Sequence, residues 1–397
     1  MGDALITGTA MTAFGKFPDT TLKGLAGVAV SEALGDAELA PSDVETVFFA
    51  NAAAGLVTGQ EMVRGQVALR ETGLAGLPVI NVENACASGS TAFHLAHQAV
   101  ASGHCEVALA VGAEKLVHPD KQRSFGALAS AVDLDRRDDL EAWLYGDDPD
   151  GRGTGSVFMD IYARLARDYT ARTGATPTDF ARVAAKNHRH GALNPKAQYR
   201  DHVTIEQVLG SRCIADPLTL LMCSPIGDGA AAVVVCSPTR AHRAGVPGVR
   251  VRSTAVVSGC DGEGEVAVVR AAHLAYERAG LAPQDLDVVE CHDAAAPAEL
   301  QIYEELGLCG DAEGPRLLAD GETELGGRVP VNPSGGLLSK GHPVGATGLA
   351  QLVELADQLR GRGGDRQVEG ACVGLAENAG GFLGPDHAAA AVTIISA

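Results

Sequence analysis

The chain has 397 residues, 46% hydrophobic and 20% charged, which is enough apolar sequence for a large core and excludes a disordered chain. Lys and Arg number 31 against 50 Asp and Glu, a formal charge of -19, and without a basic run this argues against a nucleic-acid or anionic-membrane surface. Nine cysteines, an odd number without C-x-x-C or Cys/His ligand spacing, argue against zinc and a disulfide framework and for reduced thiols in a cytoplasmic setting.

Residues 4 to 14 are expected to form a first strand, Leu22 to Leu34 a helix with one apolar face, Val44 to Ala50 a second strand and Gln60 to Arg70 a second helix. Val79, Ile80 and Val82 then make a short buried strand that leads through Cys86 and the small residues Ala87, Ser88, Gly89 and Ser90 into a helix carrying Ala92, Leu95, Ala96, Ala99 and Val100. Glu106 to Glu114 is the next strand. This alternation predicts a largely parallel sheet covered by helices on both faces. From about Leu116 to Arg212 the sequence becomes polar and rich in Asp, Arg and Gly. An excursion of that length needs its own helices, expected in SVFMDIYARLARDYTAR and TDFARVAAKNH. The sheet resumes with Ala230 to Cys236. No segment has the charged start and apolar core of a signal peptide, and none reaches transmembrane length.

The second half echoes the first. LAPSDVETVFFA from Leu39 recurs as LAPQDLDVVECH from Leu281, an offset of 242 residues, and the Cys86 elbow has a counterpart in VNPSGGLLSKGHPVGATG with its following helix. Internal duplication at this spacing predicts two similar α/β domains packed face to face, with both elbows on one shared pocket.

That pocket has candidate chemistry. A cysteine is more often a small buried hydrophobe than a nucleophile. Cys86, however, begins a helix, where free N–H groups and the helix dipole are expected to lower its pKa and favour the thiolate. His342, cleared by Gly341 and followed at once by a helix, is the expected base for the Cys86 proton. His292 ends the strand DVVECH, at the edge where open α/β sheets bind ligands, and is expected to donate to a substrate oxyanion.

NACASGSTA, HDAAAPAELQIYEELGLC, NPSGGLLSKGHPVGATGLAQLVELADQLRGRGGDRQV and LAENAGG, with KNHRHGALNPKAQY and SPIGDGAAAVVV between them, resemble the thiolase superfamily over nearly the whole chain, most closely its sterol-carrier-protein-type branch. The resemblance implies a duplicated five-layer α-β-α-β-α double domain. Residues 1-118 with 213-242 would form the N-terminal half, 119-212 an inserted loop domain that helps bind acyl-CoA, and 243-397 the C-terminal half. It also implies a homodimer. Cys86 matches the acylated nucleophile, His342 its activating histidine, and His292 the first residue of the branch's HDCF motif. The backbone N–H groups of Cys86 and Gly380 match an oxyanion hole. Coenzyme A thioesters would be substrates, with no bound cofactor and no metal.

One departure stands out. The HDCF cysteine, the family's second acid/base, is Ala294 here, and the place of an alternative C-terminal cysteine is Asn378. Cys291 precedes His292 and should face away from the pocket. Three functions therefore compete: a thiolase-type acyltransferase, a ketosynthase-like decarboxylative or carbon-acylating condensing enzyme using an acyl-CoA or acyl-carrier substrate, and an accessory acyl-CoA-binding subunit with a small OB-fold partner.

Overall fold

A computed structural model describes residues 2–146, 153–154, 156–260 and 264–397; residues 147–152 of the polar excursion lie outside the described residues. Nine strands form the main sheet: β1 (Leu5–Met11), β2 (Thr46–Ala50), β3 (Val79–Val82), β4 (Val107–Glu114), β5 (Gly229–Cys236), β6 (Val249–Ser258), β7 (Val288–Glu290), β8 (Val373–Leu383) and β9 (Asp386–Ser396). Their order is β3-β2-β4-β5-β1-β6-β9-β8-β7. The two halves meet where β1 pairs with β6 over only two residue pairs, Leu5 with Arg250 and Ile6 with Val249.

Each half repeats one pattern. In the first, β2 and β4 are parallel while β5 runs antiparallel to β4 and β1. In the second, β7 and β8 are parallel while β9 runs antiparallel to β8 and β6. The matching LAP turns each form a short 3-10 turn, Pro41–Asp43 and Pro283–Asp285, in which an aspartate accepts the N–H of the alanine before the proline at 2.8 Å. The third strand of the second half is reduced to a single bridge, Val289 to Val331.

Five layers result. Helix α1 (Leu22–Asp36) covers the outer face of the first half-sheet. Helices α2 (Ser88–Ala101) and α7 (Thr347–Leu359) lie between the half-sheets and share one apolar core through Phe93, Ala96, Leu349 and Leu352. Helices α5 (Ala267–Ala279) and α6 (Ala296–Glu305) cover the second half-sheet, together with α3 (Val157–Thr173) and α4 (Pro177–Ala192) of the excursion.

Two sequence expectations fail. The sheet is mixed rather than largely parallel, because continuous apolar strands report burial on both faces and carry no information on direction. The helix expected over Gln60 to Arg70 is instead two short pieces, Ala54–Thr58 and Arg64–Ala68, separated at Gly59, whose φ is 84°. The excursion also holds helices at Lys121–Ala129 and Arg137–Tyr145 that its apolar pattern did not announce.

The first turns of α2 and α7 touch without side chains between them. A Cβ on Gly348 would stand 2.0 Å from Ser90 Oγ and 2.7 Å from Ser90 N, and one on Gly112 would stand 2.2 Å from the Gly345 carbonyl oxygen. Gly348→Ala is therefore expected to destabilise the protein by about 1–3 kcal/mol through overpacking, read as a lower denaturation midpoint. An unchanged midpoint would show that this contact has slack.

Candidate functional site

The Cys86 elbow is locked by its own neighbours. Ser88 Oγ accepts the Asn84 N–H at 2.9 Å and donates to the Ala85 carbonyl at 2.6 Å, while Glu83 accepts the Ala85 N–H at 2.6 Å. These bonds hold Ala85 at a φ of 47°, a left-handed conformation that an alanine rarely adopts. Cys86 follows in a 3-10 turn, Ala85–Ala87, ahead of α2 and is buried.

His342 arrives from the other half. Its Nε2 lies 3.2 Å from Cys86 Sγ, and its Nδ1 lies 2.7 Å from Thr347 Oγ1. The Thr347 hydroxyl donates to the Pro343 carbonyl at 3.2 Å, so toward His342 it can only accept. Nδ1 then carries the hydrogen and Nε2 presents its lone pair to the thiol. Glu114, at the end of β4, fixes the turn: its carboxylate accepts the N–H of Gly345 at 3.0 Å, those of Ala52 and Ala53, and an Asn51 side-chain N–H.

The expected stabilised thiolate is not what this geometry gives. Burial first, then the Glu114 charge, pushes the Cys86 thiol up to about 12, although the N–H groups of Cys86 and Gly381 oppose the shift. Burial and the Lys340 charge push His342 down to about 3. Desolvation outweighs the helix N-terminus, and the resting pair is a neutral thiol beside a neutral imidazole.

His292 completes the cluster. One donor atom each of Cys86, His292 and His342 lies within 4.8 Å of the others, and the two imidazole centroids are 5.1 Å apart at 74°. The backbone N–H of His292 donates to Glu377 at 2.9 Å, while the ring Nε2 is buried without a partner. Burial, reinforced by His342, holds His292 well below its usual pKa and thus neutral.

The remaining sequence-derived positions fall as follows. The N–H groups that favour the Cys86 thiolate are those of Cys86 and of Gly381, one residue beyond Gly380. Gly380 provides clearance instead, since a Cβ there would lie 2.3 Å from the Asn84 carbonyl and 2.9 Å from the Cys86 nitrogen. Ala294 brings no titratable group. Cys291 faces away, with Asn332 donating to its sulfur at 3.4 Å. Asn378 donates to Gln351 at 3.2 Å. Sequence reasoning missed Thr347, Glu114 and Gly381; Thr347 stood inside the quoted GHPVGATG motif, five residues after His342 and at the first position of α7.

Cys86 opens into a cavity of about 480 Å³. The excursion contributes Leu128, Val132 and Phe158 to its wall, the second half contributes Phe382, and Glu61, Arg64, Glu83 and Asp133 bring charge.

A cavity that opens on a buried thiol–imidazole pair is the arrangement that acyl transfer through a cysteine requires. The sequence matches the families described as thiolase, N-terminal domain, over residues 4–239 and thiolase C-terminal domain-like over residues 249–395. The acetyl-CoA acetyltransferase of Methanothermobacter thermautotrophicus is 38% identical, with 97% of this chain and 98% of that protein covered. The benzoylsuccinyl-CoA thiolase subunit BbsB of Thauera aromatica is 37% identical over 92% of this chain and 91% of its own, and human sterol carrier protein 2 is 36% identical over 94% and 69%. Among solved structures, the Ltp2-ChsH2(DUF35) aldolase superposes with a TM-score of 0.80 at 28% identity, covering 100% of this chain and 98% of that one. Human mitochondrial 3-ketoacyl-CoA thiolase shares the fold, with a TM-score of 0.73 at 18% identity and coverage of 100% and 99%. The chain belongs to the thiolase family and is an acyltransferase of that family. No helix among the described residues is long and apolar enough to cross a membrane.

Two outcomes check the site. Because the thiol pKa is raised, alkylation of Cys86 by iodoacetamide should keep accelerating as pH rises past about 9, and a plateau near neutrality would instead indicate a preformed thiolate. Thr347→Val, which keeps the shape but leaves the His342 Nδ1–H without an acceptor, should slow acylation about 10-fold or more; an unchanged rate would show that His342 needs no such anchor.

Proposed function

We propose that this protein is an acyl-CoA acyltransferase of the acetyl-CoA acetyltransferase and 3-ketoacyl-CoA thiolase type, working through an acyl-Cys86 intermediate to make or break a carbon–carbon bond next to a thioester. The observation that carries the reading is the 3.2 Å contact between Cys86 Sγ and His342 Nε2 beside the large cavity. The Cys86 thiol gives its proton to Nε2 as the sulfur attacks the thioester carbonyl, and His342 passes that proton to the departing coenzyme A thiolate. The backbone N–H groups of Cys86 and Gly381, with Gly380 keeping the approach clear, stabilise the oxyanion of the acyl group, and a His292 N–H stabilises the oxyanion of its partner. Coenzyme A enters as substrate, and the chemistry needs no bound cofactor or metal.

Ala294 favours a second reading. A site without the second cysteine suits a malonyl-type acceptor, on coenzyme A or an acyl carrier, that becomes nucleophilic by decarboxylation. An accessory acyl-CoA-binding subunit is disfavoured by the intact Cys86–His342 pair. A homodimer is supported by β3, which pairs only with β2 and leaves Ile80 40% exposed at the sheet edge. A small OB-fold partner is a further proposal; the superposed aldolase is described as an Ltp2-ChsH2(DUF35) assembly. The nine free cysteines suit a reducing cytoplasm.

Turnover assays test the reading. Cys86→Ala should abolish coenzyme A release from acyl-CoA while the fold survives, and unchanged release would overturn it. Ala294→Cys should raise condensation of two acetyl-CoA molecules by about 10²-fold, the lower end of what a positioned base contributes. No gain would mean that a group already present removes the α-proton as efficiently as a cysteine would.

A further inference from the structure

The thiolase-type reading leaves one step without an agent: removal of the α-proton from the acceptor. The ring of His292 stands between the Cys86–His342 cluster and a small cavity. One of its nitrogens belongs to that cluster, and the ring also lines the cavity, of about 20 Å³, with Tyr162, Gln301, Glu305 and His387. That space is large enough for a single water, and its lining offers several polar groups to hold one. Gln301 donates to the Glu305 carboxylate at 2.7 Å, which fixes that carboxylate one helical turn along α6. Nε2 of His292 is buried without a hydrogen-bond partner, as is Oε1 of the neighbouring Glu377.

We propose that His292 is the carbon acid/base that replaces the missing cysteine, and that Glu305, acting across the small cavity through one water, is the positioning residue that selects its tautomer. This rests on the thiolase-type reading above. With Glu305 ionised, the water relays a hydrogen bond from the far N–H of His292, leaving a lone pair on the nitrogen that faces the substrate. With Glu305 protonated, the bond reverses, the hydrogen sits on the substrate side, and His292 is an oxyanion donor only. In the ionised state the acceptor's α-proton passes to that lone pair, and the C–H electron pair becomes the enolate pair that attacks the acyl carbonyl on Cys86. The carbonyl carbon–sulfur bond then breaks, and the Cys86 thiolate recovers a proton from the His292 imidazolium. No oxidant and no net proton are required.

The surroundings set where Glu305 titrates. Burial pushes its carboxyl up to about 7, Asp386 of β9 and Glu304 of α6 add to the rise, and the Gln301 bond and Arg172 of α3 oppose it. Tyr162 of α3, His387 of β9 and His292 also line the cavity, and Glu377 of β8 feels the Glu305 charge. Ionisation of Glu305 therefore falls near neutral pH, and base activity should appear as pH rises through it.

The test follows α-proton exchange of butyryl-CoA in D2O between about pH 5.5 and 8.5, alongside acylation of Cys86 by mass spectrometry, on the full chain. The unaltered protein should exchange faster with rising pH, with a midpoint near 7. E305Q, which keeps the size and one hydrogen-bonding oxygen, should exchange about 10-fold slower or less and lose the pH dependence, as expected for one charge-assisted hydrogen bond lost, with acylation unchanged. E305D should retain the midpoint at an intermediate rate, which a merely structural role of Glu305 would not produce. Exchange profiles that superimpose for E305Q and the unaltered protein would overturn this proposal alone, whereas failure of the unaltered protein to acylate would overturn the parent reading and this proposal with it.

Discussion

The site depends on two helix ends meeting backbone to backbone. Cys86 and His342 lie 256 residues apart in sequence, on different halves of a duplicated fold, and reach 3.2 Å because nothing larger than hydrogen separates the first turns of α2 and α7 at Gly89 and Gly348, or β4 from the turn before α7 at Gly112. Interiors pack at crystal-like density, so one methyl group at this contact shifts everything beyond it. Glu114 ties the same junction electrostatically, gathering N–H donors from the loop after β2 and from the His342 turn onto one buried carboxylate.

Burial then decides the chemistry. The low-polarity interior that makes hydrogen bonds strong also disfavours isolated charge, which raises the pKa of Cys86 and lowers those of His342 and His292. A neutral thiol–imidazole pair stores no charge at rest. In the mechanism we propose, charge develops only as the sulfur attacks, with fixed N–H donors to receive the oxyanion, and stabilisation confined to that moment accelerates the step. The helix N-terminus at Cys86 therefore acts on the developing charge of the reaction and does not maintain a resting thiolate.

Much of this was legible in the sequence. The duplication was visible because each LAP turn ends in an aspartate that caps its own 3-10 turn, a local device that must recur wherever the turn recurs. Cys86, His292 and His342 were visible because the small residues and glycines around two of them serve close approach, which leaves a strong compositional mark. Strand direction was hidden, since β5 returns only after the long excursion and its apolar run reads the same either way. The bend at Gly381 was hidden as well: β8 departs from regular alternation there, with Gly381 at a φ of 63°, and no pattern in the residues fixes such a feature. Glu114 and Glu305 were invisible for a different reason, because a single buried carboxylate announces itself only through the partners that surround it.

The central claim is that the thiol 3.2 Å from His342 carries the acyl group. Peptide mapping by mass spectrometry after brief incubation with a short-chain acyl-CoA at neutral pH tests it most directly. The account predicts one acyl group on the peptide containing Cys86, removable by added coenzyme A, and none on the other eight cysteines. Acyl groups spread over the exposed Cys213, Cys260 and Cys372, or an unmodified Cys86 in a protein that still turns over acyl-CoA, would contradict it.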